Sequence, residues 1–245
     1  RNMWGTDLTA EYEFANDLVL TSISAYRKID VTVSSDIDQL PINLFNSDPL
    51  TDFVQMASQE LRITSPGEGP LRYVGGLYYY HQRGTALRKI YIGGSLERGA
   101  LNRAKAITNS YAAYLNVDYD VTPDLTLTGG LRYTYERKTG AYSQVRGPLL
   151  SYDFDDLRRS DQNLSWTASL TYKPSTALTL YATTSKGFKS GGFNLDTIGA
   201  PNLVGNDLIF GPESVMNYEV GIKGTLFDRI LRYSASAFWM DYSDK

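Results

Sequence analysis

One nine-residue segment combines side chains that could hold a ligand. Its cations are Lys186 and Lys189, its aromatic rings are Phe188 and Phe193, and Asn194 ends it. Cations and aromatic rings together suit an anionic, aromatic ligand, which they would bind through charge, cation–π and stacking contacts. The glycines between them also permit another interpretation, in which a strand end bends into a loop and the two phenylalanine rings pack inside that loop.

A second set of charged side chains recurs at alternate positions among Thr, Ser and Asn. Such a face suits a water-filled or plugged lumen, where the charges line a path or contact another domain. It equally suits a solvated face on which the charges pair with each other. The members of this set are Arg132, Glu136, Glu219, Lys223 and Arg232.

The composition argues against several kinds of active site. The 245 residues include no cysteine and a single histidine, His81, so the sequence offers no disulfide, no thiolate metal site and no multi-histidine metal site. No nucleotide-binding loop or serine elbow is present. A formal net charge of -3 gives no electrostatic reason to bind nucleic acid. We therefore expect no enzyme activity, no metal or other cofactor and no nucleic-acid partner.

The elements that must carry these side chains follow a period of two. From Leu125 to Glu136 apolar and polar residues alternate, which predicts a strand with one apolar and one polar face. Similar patterns predict ten strands of about ten residues or more, and no helix. They lie at about 7–15, 18–30, 53–65, 71–83, 107–120, 125–136, 164–173, 177–187, 216–226 and 231–239.

The links between these strands alternate strictly between short and long. The short, turn-rich links lie at residues 16–17, 66–70, 122–124, 174–176 and 228–229. The long links, of about 20 residues or more, lie at 31–52, 84–105, 138–161 and 188–213. In an antiparallel up-and-down meander, this places every tight turn at one end and every long loop at the other.

Two architectures could use such strands. A soluble sandwich or barrel would bury the apolar face, whereas an outer-membrane barrel turns it to lipid. No apolar run approaches the roughly 18 residues of a transmembrane helix. Strand length, one-sided long loops and apolar-face aromatics near the strand ends, such as Tyr135 and Tyr172, favour the membrane barrel.

Several segments resemble the barrel domain of TonB-dependent outer-membrane receptors. They are SQELRITSP at 58–66, GGLRYTYERK at 129–138, SKGFKSGGFN at 185–194 and NYEVGIK at 217–223. The resemblance covers the chain from about residue 8 to 243. It implies a 22-stranded barrel plugged by an N-terminal domain. At roughly 25 residues per strand and link, 22 strands need roughly 540 residues, so we expect residues 1–245 to be part of the barrel domain, without the plug, the first strands or the last.

The resemblance also implies a function. Such a receptor lies in the bacterial outer membrane, binds an iron-siderophore complex or a similar scarce nutrient at its extracellular loops, and imports it into the periplasm. Its partners would be outer-membrane lipid, the ferric siderophore or other small nutrient, and the TonB complex, engaged through a missing N-terminal segment. The alternatives are a soluble all-β carbohydrate-binding or structural domain, and a passive porin.

Overall fold

The computed structural model describes residues 1–42, 44–146, 150–195, 204–228 and 230–244, most of them in β-strands. The strands are β1 Asn2–Glu13, β2 Val19–Asp36, β3 Phe45–Thr64, β4 Leu71–Ile92, β5 Ser95–Thr122, β6 Leu125–Arg146, β7 Leu150–Ser175, β8 Leu178–Lys189, β9 Gly192–Phe193, β10 Ile209–Phe210, β11 Glu213–Leu226 and β12 Leu231–Asp244. A short 3-10 helix, Gly205–Leu208, precedes β10. The all-β prediction is confirmed.

Ten strands form one antiparallel sheet in the order β1 to β8, then β11 and β12. Every strand therefore pairs with its neighbour along the chain, apart from the two-residue strands β9 and β10, which pair only with each other. The predicted ten-stranded up-and-down meander is confirmed. The sequence pattern did not predict β9 and β10, because a two-residue strand carries no period.

Each strand of the sheet has an apolar and a polar side, as the alternation predicts. Residues paired directly across two strands share a face, so Leu61 with Leu77, and Leu115 with Leu131, lie together. We call this side the apolar face, and the side of Arg132 the polar face. Leu77 is 61% exposed and Leu131 is 56% exposed. Among the described residues, no second layer packs on this face.

Tyrosines bound the apolar face at both ends. Tyr79, Tyr111 and Tyr135 form one row across β4, β5 and β6, which we call the tyrosine row, and the rings of Tyr79 and Tyr111 lie 5.0 Å apart. Tyr119 and Tyr172 lie near the opposite ends of their strands. Tyr119 lies eight residue steps from the row and Tyr172 lies ten. With a rise of about 3.3 Å per residue and a tilt of about 40°, these steps span about 20 to 25 Å, close to the height of the apolar band of a membrane barrel.

At the end of the strands where the sequence predicts long loops, the structure has mostly strand instead. Segments 31–52 and 84–105 are mostly strand: β2 and β3 approach each other to residues 36 and 45, and β4 and β5 to residues 92 and 95. The β4–β5 turn consists of Gly93 and Gly94, both with positive φ. Segment 138–161 is likewise strand on both sides of residues 147–149, which lie outside the described residues. Within 188–213, residues 196–203 also lie outside them.

The tight turns lie where the sequence predicts them. Between β1 and β2 the Phe14 amide donates to the Leu18 carbonyl at 2.8 Å, and between β3 and β4 the Ser65 amide donates to the Tyr73 carbonyl at 2.9 Å. Two residues separate β5 from β6, and two separate β7 from β8. Of the predicted turn at 228–229, residue 229 lies outside the described part of the chain.

One small core forms where the chain between β8 and β11 folds back onto the sheet. We call residues 190–195 and 204–212 the cover; it includes β9, the 3-10 helix and β10. Leu208 of the cover is 1% exposed and clusters with Tyr142 of β6 and Leu157 of β7. Phe193 packs against this cluster. The cover thus lies at the end of the sheet away from the tight turns.

Candidate functional site

A cluster of aromatic and charged side chains lies midway along the polar face. The guanidinium carbon of Arg132 is 5.4 Å from the ring centre of Tyr78 and 5.9 Å from that of Tyr114. The Tyr114 hydroxyl donates a hydrogen bond to the carboxylate of Glu60. Because Tyr114 lies on β5 and Glu60 on β3, this bond reaches across the intervening strand β4. We call these four residues the central cluster.

Register explains why a tyrosine can lie across β4. Gly76 is paired with Tyr114, and a Cβ atom at Gly76 would stand 2.7 Å from the tyrosine hydroxyl. The same Cβ atom would also stand 2.7 Å from the backbone carbonyl oxygen of Leu61, which cannot swing aside as a side chain can, so the position favours glycine. Gly76 is also paired with Arg62. The Arg62 Nε atom is buried and has no hydrogen-bond partner among the described residues.

Charged residues continue from the central cluster towards the cover. Glu136 lies on the same strand and face as Arg132, and its carboxylate is 2.9 Å from the ammonium of Lys138. The same ammonium donates to the carbonyl of Gly191 at 2.7 Å. Lys138 therefore links the polar face of β6 to the start of the cover.

The cover closes over the polar face by placing rings on glycines. Phe193 lies over Gly140, where a Cβ atom would be 2.8 Å from the ring. Within the cover itself, Phe210 lies over Gly192 with the same separation. The Asn194 amide donates to the Leu208 carbonyl at 2.7 Å, which joins the two halves of the cover. Phe193 is thus mainly a packing residue, whereas the Asn194 side chain is exposed.

Lys189 stands at the rim of the cover. Its ammonium is 3.4 Å from the carboxylate of Glu213 and 5.9 Å from the ring centre of Phe210. The side chain of Lys189 is nevertheless 67% exposed. An exposed ammonium beside an aromatic ring can bind an anionic group without losing its existing contacts.

Lys186 and Phe188 lie on the opposite side of the sheet from Lys189. Lys186 is paired with Trp166 on one side and Met216 on the other, and this row belongs to the apolar face. Phe188 is paired with Ser214 on the same face. The structure therefore does not bring the five predicted ligand-binding residues together. Lys189, Phe193 and Asn194 lie at the cover, whereas Lys186 and Phe188 point away from it.

The five predicted lumen residues also fall into separate groups. Arg132 and Glu136 lie on β6, and Glu219 and Lys223 lie four strand positions apart on the polar face of β11. The Tyr181 hydroxyl donates to Glu219 at 2.6 Å, and the Lys223 ammonium is 5.0 Å from the Tyr181 ring centre. Arg232 of β12 is paired with Thr225 and is exposed near the turn.

Sequence reasoning missed several residues of these groups, among them Tyr78, Tyr114, Glu60 and Lys138. All four occupy the polar positions of predicted strands or their continuations, so alternation could have assigned their face. Their contacts depend on which residues are paired across strands, such as Gly76 with Tyr114. Alternation within one strand contains no such information.

At the turn end of the polar face, Arg72 pairs with Asp120, just past Tyr119. One guanidinium nitrogen donates to the carboxylate at 2.8 Å, and Thr126 donates to it at 2.7 Å. The hydrogen bond from Arg72, with a further one from Thr126, holds the pKa of Asp120 well below its ordinary value.

In the described part of the chain, no helix is both long and apolar enough to cross a membrane. No group of three or more His, Cys, Asp or Glu side chains in that part is placed to hold a metal ion.

A comparison with models of protein families identifies one family. The model of the TonB dependent receptor-like β-barrel family matches residues 1–245. A comparison with curated protein sequences gives no significant match. The soluble alternative gains no support from these findings.

Solved structures share this fold at low sequence identity. The ferric yersiniabactin uptake receptor FyuA from Yersinia pestis is 20% identical, with a TM-score of 0.81 over 97% of this chain and 35% of its own. The siderophore receptor PiuA from Acinetobacter baumannii is 16% identical, with a TM-score of 0.71 over 96% and 39%. The copper transporter OprC is 14% identical, with a TM-score of 0.77 over 98% and 38%. The chain thus spans between a third and two fifths of these proteins.

Proposed function

This chain belongs to the TonB-dependent receptor-like β-barrel family, and on that premise we propose that it is part of an outer-membrane receptor that imports a scarce nutrient. Receptors of this family lie in the bacterial outer membrane. The observation that carries the proposal is the division of one sheet into an exposed apolar face bounded by tyrosines and a polar face with the central cluster. Lipid would contact the first face and the nutrient path would follow the second.

An iron-siderophore complex is the nutrient class that we propose. The solved neighbours include the ferric yersiniabactin receptor FyuA and the siderophore receptor PiuA, which support this class. They also include the copper transporter OprC, so proteins with this fold carry more than one kind of nutrient. A ferric siderophore is a bulky chelate, often anionic and aromatic. Lys189, exposed beside Phe210, supplies the cation and ring that suit it.

The ligand site that we propose lies at the cover, with Lys189 and Asn194 as contacts and Phe193 holding the cover in place. We do not propose Lys186 and Phe188 as contacts, because their pairing places them on the apolar face, away from the cover. Lys189 and Lys186 therefore form a matched pair for experiment: two lysines of one strand, three residues apart, on opposite faces.

The charged residues of the polar face would contact the plug of the complete receptor. Arg132, Glu136, Glu219, Lys223 and Arg232 would line the lumen, where water and the plug replace lipid. Support comes from Arg62, whose buried Nε lacks a partner among the described residues and could donate to a plug carbonyl or carboxylate. The energy for import would come through TonB, which would engage a segment N-terminal to this barrel. Import breaks no covalent bond, so no catalytic residues are proposed.

A growth experiment tests the nutrient class. A strain that lacks the complete gene should lose growth on one ferric siderophore or a related group of them under iron limitation, and the intact gene should restore it. Growth on iron sources that do not need the receptor serves as the control. Equal growth on every siderophore tested would contradict the iron-siderophore proposal while leaving another nutrient open.

A further inference from the structure

A basic patch lies on the apolar face just beyond the tyrosine row. It consists of Arg83 on β4, Lys105 on β5 and Arg137 on β6, all with exposed side chains. Arg83 lies four residues beyond Tyr79, Lys105 lies six beyond Tyr111, and Arg137 lies two beyond Tyr135, so each separation is an even number. Successive residues of a strand alternate between faces. The three cations therefore share the face that the tyrosines bound.

Nothing in the described protein neutralises the basic patch. Arg83, Lys105 and Arg137 form none of the ion pairs or side-chain hydrogen bonds found among the described residues. Each of the four strands β3 to β6 has three positions on the apolar face directly beyond the level of the tyrosine row. None of these twelve residues is Asp or Glu. Arg158 on β7 differs, because Asp156 pairs with it.

The height of the patch matches a particular layer of a membrane. With a rise of about 3.3 Å per residue and a tilt of about 40°, Arg137 and Arg83 lie about 5 and 10 Å beyond the tyrosine row. The polar head-group layer of one leaflet is about 5 to 8 Å thick, so Arg137 lies within it, and the long side chain of Arg83 can reach it from just above. Lys105 lies about 15 Å beyond the row, and its flexible side chain can extend back towards the membrane.

We propose that the basic patch binds the phosphates of an anionic lipid whose head group carries two of them, as a diphosphorylated acyl-glycolipid does. This inference rests on the membrane position proposed above. Guanidinium groups bind phosphate oxygens in pairs of hydrogen bonds. The Cα atoms of Arg83 and Arg137 are about 12 Å apart, since two strand spacings and two residue steps separate them. At that separation the two guanidinium groups can each bind a separate phosphate of one head group.

The test compares two double variants of the complete receptor purified in detergent. One is Arg83→Gln with Arg137→Gln. The matched control, Lys89→Gln with Arg103→Gln, removes two cations from the same face of β4 and β5, but about 20 to 25 Å beyond the row and above the head groups. Native mass spectrometry measures the affinity of each protein for diphosphorylated lipid A and for its dephosphorylated form, with inorganic phosphate as a competitor.

We expect the patch variant to bind diphosphorylated lipid A roughly 10- to 30-fold more weakly than the native protein, and the control variant to bind it as the native protein does. Equal binding by all three proteins, equal binding of the dephosphorylated lipid, or full displacement by millimolar inorganic phosphate would overturn the inference. In these cases recovery of the native receptor in the outer membrane would leave the proposed function intact. Recovery in the aqueous fraction without detergent would instead contradict the membrane position.

Discussion

Aromatic rings lie directly on glycines at several places on the polar face, and each such contact fixes a local arrangement. Tyr114 lies over Gly76, and a Cβ atom at Gly221 would be 2.3 Å from the Tyr181 ring. A ring that covers a bare backbone in a sheet recovers packing that glycine cannot provide. The glycine at such a site therefore leaves room for the tyrosine ring, whose hydroxyl then donates a hydrogen bond to a carboxylate on the polar face.

Gly140 gives the first testable case. In Gly140→Val the new side chain collides with Phe193, so we expect the cover to lose packing worth about 1 to 3 kcal/mol. Hydrogen exchange measured by mass spectrometry should become faster in residues 204–212. The control is Gly84→Val, where a Cβ atom would meet no atom within 4 Å. Equal exchange in the two variants would show that Phe193 does not hold the cover.

Lys189 is expected to act in binding and not in stability. Its exposed ion pair with Glu213 is worth at most about 1 kcal/mol, so Lys189→Ala should unfold at nearly the native temperature. Loss of the ammonium should weaken binding of the growth-restoring ferric siderophore about tenfold. Lys186→Ala, on the apolar face, is the matched control and should bind as the native protein does. Equal weakening by the two variants would contradict the assignment of Lys189 to the site.

The pair of Arg72 and Asp120 predicts a pH dependence. Because the folded-state pKa of Asp120 is lowered, the pair stabilises the fold fully above the ordinary aspartate range, about pH 4, and loses this contribution as pH falls further. Asp120→Asn should therefore lower the unfolding temperature at pH 7, and the difference from the native protein should shrink below pH 4. A difference that stays constant with pH would show that the charge of Asp120 is not the cause.

At the scale of strands, the sequence reveals the part that we propose to lie in the membrane and hides the part beyond it. From Leu125 to Tyr135 apolar residues alternate clearly with polar ones, as expected where one face would meet lipid chains. Beyond the tyrosine row neither face of a hairpin would meet lipid chains. Arg83 and Lys105 then occupy the face that holds leucine further down, and the pattern disappears although the strand continues.

The same limit explains which parts of the candidate site could be predicted. Closeness in sequence groups Lys186 with Lys189, but β8 extends to Lys189, and residues three apart on a strand face opposite ways. The cover could not be predicted, since it depends on Phe193 reaching Gly140 some fifty positions earlier in the chain. In contrast, alternation alone places Arg132, Glu136 and Glu219 on the polar side of their strands.

We expect substitutions in the turn of the long β4–β5 hairpin to destabilise that hairpin locally. Gly93 and Gly94 have φ values of 56° and 74°, which a β-branched residue adopts only with strain. Gly94→Val should therefore destabilise the hairpin by about 1 to 3 kcal/mol. Hydrogen exchange should become faster at residues 84–105 and stay unchanged at 71–81. Faster exchange throughout β4 would mean that the hairpin and the membrane-spanning part unfold together.

At the scale of the whole molecule, both ends of the ten-stranded sheet are unpaired in the described structure. β1 and β12 are the two edges, and each carries exposed apolar side chains, including Trp4 on β1 and Trp239 on β12. An exposed, long, apolar strand edge readily pairs with another chain. A barrel removes such edges by closing on itself, which accords with structural neighbours more than twice as long as this chain.

These edges decide how residues 1–245 should behave when produced without further sequence. In water the exposed apolar face and the two open edges should drive association, so sedimentation velocity should detect large, heterogeneous species and no stable monomer. Detergent would cover the apolar face but leave the backbone groups of β1 and β12 unpaired, so defined dimers or larger closed assemblies are expected there. A monodisperse, folded monomer in buffer without detergent would contradict the membrane-barrel assignment of the apolar face and revive the soluble all-β alternative. It would do so whatever nutrient the complete receptor carries, because the expectation depends on the exposed apolar face, which includes Leu77 and Leu131, and on the two open edges.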